Sequence, residues 1–401
     1  MSNYNKKTID DINVQGKKAL VRCDFNVPIV DGKITDKTRI EATLPTIKKL
    51  LEKNAKVILC SHLGKAEKKL SLQPVAKELS KLLGKNVNFI KTEKVVDDAV
   101  KDFVNNMNEG EIILLENTRL RKEETECGEN FAMELANLAD VFVNDAFGTA
   151  HRAHASNVGV TKYIDNCVSG YLLKKEIDHL INAVEKPEKP FVAILGGAKI
   201  SDKLKVIEKL LEKCDTLLIG GGMSYTFLKA MGYNVGKSLV DNDKLAYCKE
   251  MITKAKRHKK QLILPVDSMC AKDLPNPITN KKIETKRFKI ADMDDNYMGL
   301  DIGEETIKLF MNHIKKAKTV IWNGPMGLFE NEKFALGTYC IARSLTELKN
   351  ATTIIGGGDS AAAINAFGLA NKVTHVSTGG GATLEFLEGV ELPGVTSLTD
   401  K

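Results

Sequence analysis

Five residues, Gly356-Gly357-Gly358-Asp359-Ser360, have the types and spacing to hold a phosphate together with a cation. They follow the β-branched run Thr352-Thr353-Ile354-Ile355 and lead into Ala361-Ala362-Ala363. That order reads as strand, tight loop and helix N-terminus, where backbone N–H groups converge on an anion with no side chains in the way. Asp359 adds a carboxylate where a bare pyrophosphate would be repelled. A nucleotide carrying Mg²⁺ would accept it, because Mg²⁺ takes one or two carboxylates plus phosphate oxygens. Phosphate chemistry is therefore expected.

Two other readings compete for the glycines. Gly356-x-Gly358-x-x-Ala361 formally fits the dinucleotide fingerprint, so an NAD-dependent dehydrogenase is the alternative. That fingerprint needs an acid at the end of the next strand to hold the ribose. Here the next apolar run, Val373 to Val376, ends in Ser377-Thr378-Gly379-Gly380-Gly381, and no acid precedes Glu385. Gly232-Tyr233-Asn234-Val235-Gly236-Lys237-Ser238 resembles a P-loop but is one residue short between its glycines. It also follows a helical pattern rather than a strand, so it reads as a helix C-cap and a loop.

Arginine usage points to a second site. The net charge is +7, yet only eight of the 59 basic residues are arginine. Five of these (Arg22, Arg39, Arg119, Arg121 and Arg152) lie in the first 152 residues. Arginine kept against such a lysine bias suggests bidentate binding of carboxylate or phosphate. The basic run Lys254–Lys260 has no aromatic platform, and reads as a solvated helix end rather than a nucleic-acid surface. The eight cysteines stand at least 22 residues apart, without any zinc pairing, as scattered reduced thiols would. The N-terminus leads into no apolar signal, and no run approaches a membrane span. These features predict a cytoplasmic protein without nucleic-acid or membrane partners.

The elements that must position these groups alternate along the chain. Strands are expected at Ala19–Cys23, Lys56–Cys60, Glu111–Leu115, Val141–Val143, Phe191–Leu195, Thr216–Ile219, Leu262–Val266, Thr319–Trp322, Thr352–Ile355 and Val373–Val376. Amphipathic segments such as Leu72–Leu83, Phe131–Ala139, Lys203–Leu211 and Ile307–Ile314 separate them. The pattern implies an α/β fold of two Rossmann-like domains, with parallel sheets flanked by helices and joined by a hinge helix. At 401 residues two domains are expected. The boundaries fall at 1–170, a connecting helix at 171–189 and 190–387, with a tail from about 388 to 401 that could return to the first domain. Ligands of open α/β sheets bind beyond the carboxyl ends of strands. In the first half those ends carry Asp, Asn, His and Arg; in the second, mostly glycines with Lys, Asn and Asp.

Taken together, Arg22-Cys23-Asp24-Phe25-Asn26-Val27-Pro28, Ser61-His62-Leu63-Gly64-Lys65, Glu116-Asn117-Thr118-Arg119 and Asn144–Ser156 resemble the phosphoglycerate kinase family. So do Gly196–Lys203, Gly220–Met223, Trp322–Gly327 and Gly356–Ser360, in the family's order from about residue 18 to 385. The resemblance implies reversible transfer of the acyl phosphate of 1,3-bisphosphoglycerate to MgADP, giving 3-phosphoglycerate and MgATP. It implies that Asp24, Phe25, Asn26, Arg39, His62, Leu63, Gly64, Lys65, Arg119 and Arg152 bind phosphoglycerate. Gly197, Lys199, Lys203, Gly221, Gly299, Asn323, Glu330 and Gly356, Gly357, Gly358, Asp359 and Ser360 would bind ATP or ADP. Asp359 would ligate Mg²⁺, while Arg39, Lys203, Gly357 and Gly380 would serve the chemical step. A monomer that closes about its hinge is expected. Lys65 stands where the family commonly has arginine, keeping the charge and losing the fork.

Bland readings stand beside several of these. Arg22 could be a structural ion pair. His151 and His154 are three apart but lack a third metal ligand. Asp145 and Asp267 could cap helices. Lys199 and Lys203 are expected on one face of a helix running from about Ile200.

Overall fold

Two six-stranded, all-parallel sheets take up the apolar runs, one in each half of the chain. The computed structural model describes residues 4–401. One unit runs to Asp178 and is rejoined by Glu391–Lys401, and the other is His179–Val390.

In the first unit, the strands are β1 (Lys18–Arg22), the hairpin pair β2 (Ile29–Val30) and β3 (Lys33–Ile34), β4 (Lys56–Cys60), β5 (Asn88–Phe89), β6 (Ile112–Leu114), β7 (Val141–Asn144) and β8 (Cys167–Ser169). Its helices are α1 (Thr38–Glu52), α2 (Gln73–Leu83), α3 (Asp98–Asn105), α4 (Glu123–Glu126) and α5 (Glu129–Ala136). α6 (Tyr171–Glu185) then carries the chain across the division. The sheet order β5-β6-β4-β1-β7-β8 reverses direction between β1 and β7. Nearly every residue of β1, β4 and β7 is buried, which explains their unbroken apolarity: helices cover both faces. Phe25, just past β1, is fully buried, a placement that stabilises by about 2–3 kcal/mol. Local signals set the helix ends. Asp97 accepts from Val100 N at 3.0 Å to start α3, and Gly84 adopts φ +61 to end α2.

The second unit holds β9 (Phe191–Leu195), α7 (Leu204–Lys213), β10 (Thr216–Ile219), α8 (Ser224–Ala230), α9 (Leu245–Arg257) and β11 (Gln261–Ile263). There follow β12 (Asp267–Ala271), β13 (Lys286–Lys289), β14 (Met298–Ile302) and α10 (Glu304–Ile314). The unit continues with β15 (Thr319–Asn323), α11 (Leu336–Thr346), β16 (Thr352–Gly356), α12 (Gly358–Ala366), β17 (His375–Val376) and α13 (Gly380–Leu387). The main order is β11-β10-β9-β15-β16-β17, reversing between β9 and β15. After Val390 the tail rejoins the first unit through α14 (Pro393–Thr396), where Lys6 Nζ donates to Thr396 O and Leu398 O at 3.0 and 2.9 Å.

Three details depart from expectation. The strand expected at Leu262–Val266 ends at Ile263, because Pro265 offers no N–H to a ladder. The one expected at Val373–Val376 shortens to His375–Val376. Ahead of it Thr374 pairs with Thr353 through hydroxyls instead, at 2.9 and 3.0 Å. The antiparallel sheet β13-β12-β14 was not expected at all, since Lys286-Arg287-Phe288-Lys289 carries little apolar signal.

Candidate active site

In the first unit the reversal point is occupied by charge. Arg39, in the first turn of α1, donates through Nη1 to Asp24 Oδ1 at 3.1 Å and to Asn26 O at 3.2 Å, with Asp24 Oδ2 3.0 Å away as its ion-pair partner. Asn26 Oδ1 accepts from Gly64 N at 2.8 Å, and Gly64 O accepts from Arg119 Nη1. Asp24, Asn26, Arg39, Gly64 and Arg119 thus form one hydrogen-bonded chain across three loops. Phe25 and Leu63 turn their side chains into the core, so only their backbones could meet a ligand. Lys65 is exposed just beyond them.

His62 is buried in this cluster, with Nδ1 3.2 Å from Arg22 Nη2. A guanidinium cannot accept, so Nδ1 accepts and the ring proton belongs on Nε2. Burial, then the fields of Arg22, Arg119, Arg152 and Arg39, hold the His62 pKa well below its ordinary value. His62 is a neutral N–H donor in a strongly positive field, which suits an anion. Arg22 itself is spent on structure. Its Nε donates to Ser156 Oγ at 2.7 Å, Nη1 donates to Cys23 O, and Glu124 lies 3.7 Å away. The arginines depress one another too: burial first, then Arg152 and Arg22, lower the pKa of Arg119.

His151 and His154 stand among charged neighbours, with His154 Nδ1 3.8 Å from Glu124 Oε1. Arg152 Nε donates to His151 Nε2 at 3.0 Å, and burial, then nearby positive charge, pushes each ring down to about 4. No cluster of three metal-ligating side chains occurs among the described residues. Asp145 and Asp267 are caps. Asp145 accepts from Leu172 N and Leu173 N at 2.9 and 3.1 Å, opening α6, and burial raises its carboxyl to about 7. Asp267 accepts from Glu305 N and Thr306 N at 3.1 and 2.8 Å, opening α10.

In the second unit the reversal point is occupied by one lysine. Lys203 Nζ donates to Gly196 O at 2.8 Å, Asn323 O at 3.1 Å and Asn323 Oδ1 at 2.7 Å. These carbonyls mark the ends of β9 and β15, the neighbours where the sheet order reverses. Burial lowers the ammonium to about 8, with Asp359 and Asp202 pulling it back up. Only glycine fits at 324: φ is +97, and a Cβ there would stand 2.6 Å from Lys203 Nζ and 2.2 Å from Gly196 O.

Lys199 and Lys203 do not share a helix face. Ser201–Lys203 forms a single 3₁₀ turn before α7, so Lys203 folds inward while Lys199 stays exposed. Lys199 instead lines a cavity of about 440 Å³ with Ala198, Ser201, Thr226 and Asp241. Nothing in the sequence marked Thr226 or Asp241 for that wall.

Two helix starts adjoin each other near Lys203. Gly357 (φ +91) precedes α12, and a Cβ on Gly380, at the start of α13, would lie 3.1 Å from Gly358 N. Ser360 Oγ accepts from Gly324 N at 2.6 Å, tying this loop to the end of β15. Among the described residues the buried Asn323 Nδ2 has no partner, and it lies 3.0 Å from the position of a Cβ on Gly357. Asp359 is exposed in the first turn of α12. With one carboxylate and no cluster of three ligating side chains among the described residues, the donor set fits a cation that arrives on phosphate oxygens.

The remaining expected residues sit elsewhere. Gly221 is buried, where a Cβ would meet Gly197 N at 2.6 Å, so these glycines let two turns pack. Gly299 lies on β14 and donates to Ser238 Oγ at 2.9 Å. Exposed Glu330 follows the loop joined to β14 by Leu328 N to Leu300 O at 2.8 Å.

Residues 9–390 match the family model described as phosphoglycerate kinase. The chain belongs to the phosphoglycerate kinase family. It is 58% identical over 402 residues to the phosphoglycerate kinase of Clostridium tetani, with 99% of each chain covered. It is also 58% identical over 407 residues to that of Clostridium botulinum strain Hall, with 100% of each covered. Among solved structures it is similar to phosphoglycerate kinase from Coxiella burnetii, at TM-score 0.88 and 40% identity over 98% of both chains. The Pyrococcus horikoshii OT3 phosphoglycerate kinase aligns at TM-score 0.85 and 33% identity, again over 98% of both. The dehydrogenase alternative finds no support in these relatives.

Proposed function

We infer that the chain acts as a phosphoglycerate kinase, reversibly moving the acyl phosphate of 1,3-bisphosphoglycerate to ADP to give 3-phosphoglycerate and ATP, a step of glycolysis. The observation that carries this reading is the pair of half-sites, arginines around a neutral His62 at one sheet reversal and Lys203 beside two helix N-termini at the other. Guanidinium forks suit a small molecule bearing carboxylate and phosphate. Convergent backbone N–H groups and a lysine suit a polyphosphate.

Arg39, Arg119, Arg152 and the His62 Nε2–H hold the acidic substrate, and Asp24 and Asn26 face its hydroxyl. Gly356–Ser360 and Gly380 receive nucleotide phosphates, while Gly299 and Glu330 belong to the nucleoside side. Asp359 would hold the Mg²⁺ of the nucleotide, whose contribution when bound is to neutralise phosphate charge.

No general base is needed. The acceptor carboxylate in the reverse direction titrates near pKa ~4 and is ionised at neutral pH. Catalysis reduces to alignment and charge stabilisation of a loose phosphoryl group. The three partners of Lys203 are neutral carbonyl oxygens. A phosphoryl oxygen can therefore replace one without breaking an ion pair, and the new charge–charge contact is strongest in the transition state. Arg39 opposes the same charge from the other substrate. Because the half-sites belong to different units, α6 and the segment after Val390 serve as the hinge through which they are brought together. The enzyme works in the cytoplasm as a monomer.

A coupled assay of ATP formation from 1,3-bisphosphoglycerate and MgADP tests the assignment. Sustained, enzyme-dependent ATP formation is expected. Background ATP alone, from a folded preparation, would overturn it.

A further inference from the structure

The side chain of Arg152 is exposed, and its one hydrogen bond among the described residues is to its neighbour His151. Its aim must therefore come from the backbone of the turn that carries it. That turn is held from behind by two fully buried asparagines. Asn157 Nδ2 donates to Arg152 O at 2.8 Å and to Thr149 O at 2.7 Å. Asn157 Oδ1 accepts from Asn144 Nδ2 at 2.8 Å, and Asn144 Oδ1 accepts from Ala146 N at 3.1 Å. The remaining proton of Asn144 Nδ2 goes to Gly394 O at 2.7 Å, and Gly394 N donates to Ala150 O at 2.8 Å. Every polar atom of both amides is thereby used, and a fully satisfied buried network is rigid.

Gly394 closes the network from the far end of the sequence. It has no room for a side chain, since a Cβ there would lie 2.4 Å from Asn157 Oδ1 and 2.9 Å from the Ala150 Cα. The tail's own attachments lie on either side: Leu392 N donates to Tyr4 Oη at 3.1 Å, Thr399 N to Cys167 O at 2.8 Å, and Lys6 Nζ to Thr396 O and Leu398 O. The Gly394 contacts are thus additional to those that hold the tail down, and they fall on the Arg152 turn.

We propose that the returning C-terminal segment is part of the acidic-substrate half-site, with Gly394 and Asn157 as positioning residues for Arg152. The proposal rests on the reading that Arg152 holds phosphoglycerate. A methyl group on Gly394 pushes against Asn157 and Ala150, shifts the turn and swings the guanidinium off its target. Displacements of about 1 Å at a binding group have large effects.

Calorimetric titration of the full-length enzyme with 3-phosphoglycerate, and separately with MgADP, tests this in a double-mutant cycle. Gly394→Ala should weaken 3-phosphoglycerate binding about tenfold and leave MgADP binding unchanged, while Arg152→Ala should weaken it at least as much. In the Arg152→Ala background, Gly394→Ala should then cost less than about twofold, because there is no guanidinium left to aim. An unchanged affinity in Gly394→Ala, or a full tenfold loss persisting without Arg152, would overturn the positioning role while leaving Arg152 as a ligand. No loss in Arg152→Ala would remove the reading beneath it as well. Should Gly394→Ala not fold, Asn157→Ala carries the same cycle with the same expected values.

Discussion

In the first unit the groups proposed to face an anion are side chains, while in the second they are mostly backbone, and the two arrangements place charge differently. Burial, and then the permanent cations Arg22, Arg119, Arg152 and Arg39, hold the His62 pKa well below its ordinary value. The second half-site spends glycines to expose N–H groups and buries Lys203 deeply enough to lower its ammonium to about 8. A side-chain site reads a particular shape, because forks must match a carboxylate or phosphate in direction. A backbone site tolerates a mobile polyphosphate and leaves one titratable group in charge of the transition state.

The sharpest way to break this comparison is to remove the central cation on each side. Lys203→Ala and Arg39→Ala should each lower kcat by roughly 100-fold or more, with smaller changes in KM. Steady-state kinetics showing a pure KM effect in either variant would make that residue a ground-state binder. Next in size, Asp359→Ala should weaken MgADP about tenfold and leave 3-phosphoglycerate affinity unchanged, as measured by calorimetry. Normal MgADP binding would remove Asp359 from the metal.

Titration separates the halves further. The folded value of Lys203, about 8, lies below its ordinary 10.5, so the ammonium is lost as pH rises through about 8. Turnover should decline across that interval, and Lys203→Arg should abolish the decline, because guanidinium stays charged. The unfolded chain keeps this proton to higher pH, so stability should rise with pH between about 8 and 10.5, as the cost of burying the ammonium is relieved. Affinity for 3-phosphoglycerate should stay level over the same range, since the binders we propose for it are arginines and a neutral imidazole. The smallest effect belongs to Lys65→Arg. The side chain is exposed and the charge already present, so affinity for 3-phosphoglycerate should change less than about threefold, with a tenfold gain showing that the lost fork mattered.

The two sites were not equally legible. Arg39, His62 and Arg119 stand out by type, although Arg22, Asp145 and Asp267, also at strand ends, serve structure, so residue type alone does not separate ligand from cap. The central strands and the Gly356–Ser360 loop were readable because burial on both faces and tight turns leave strong local marks. What local pattern could not give was contact between distant segments. Lys203 was expected on a helix face beside Lys199, but its position depends on the Gly196 and Asn323 carbonyls, which meet only when the sheet forms. The proton position on His62 depends on Arg22, 40 residues away. The antiparallel sheet was hidden because its outer strand β13 is mostly exposed and basic.

The central claim is that two half-sites on separate units must be brought together for transfer, and solution X-ray scattering addresses it directly. A closing hinge responds to differential affinity for the closed state, so both ligands together should act more strongly than either alone. The radius of gyration should fall further with 3-phosphoglycerate and MgADP together than with each singly. A value unchanged from the ligand-free enzyme, with both ligands shown to be bound, would contradict the account.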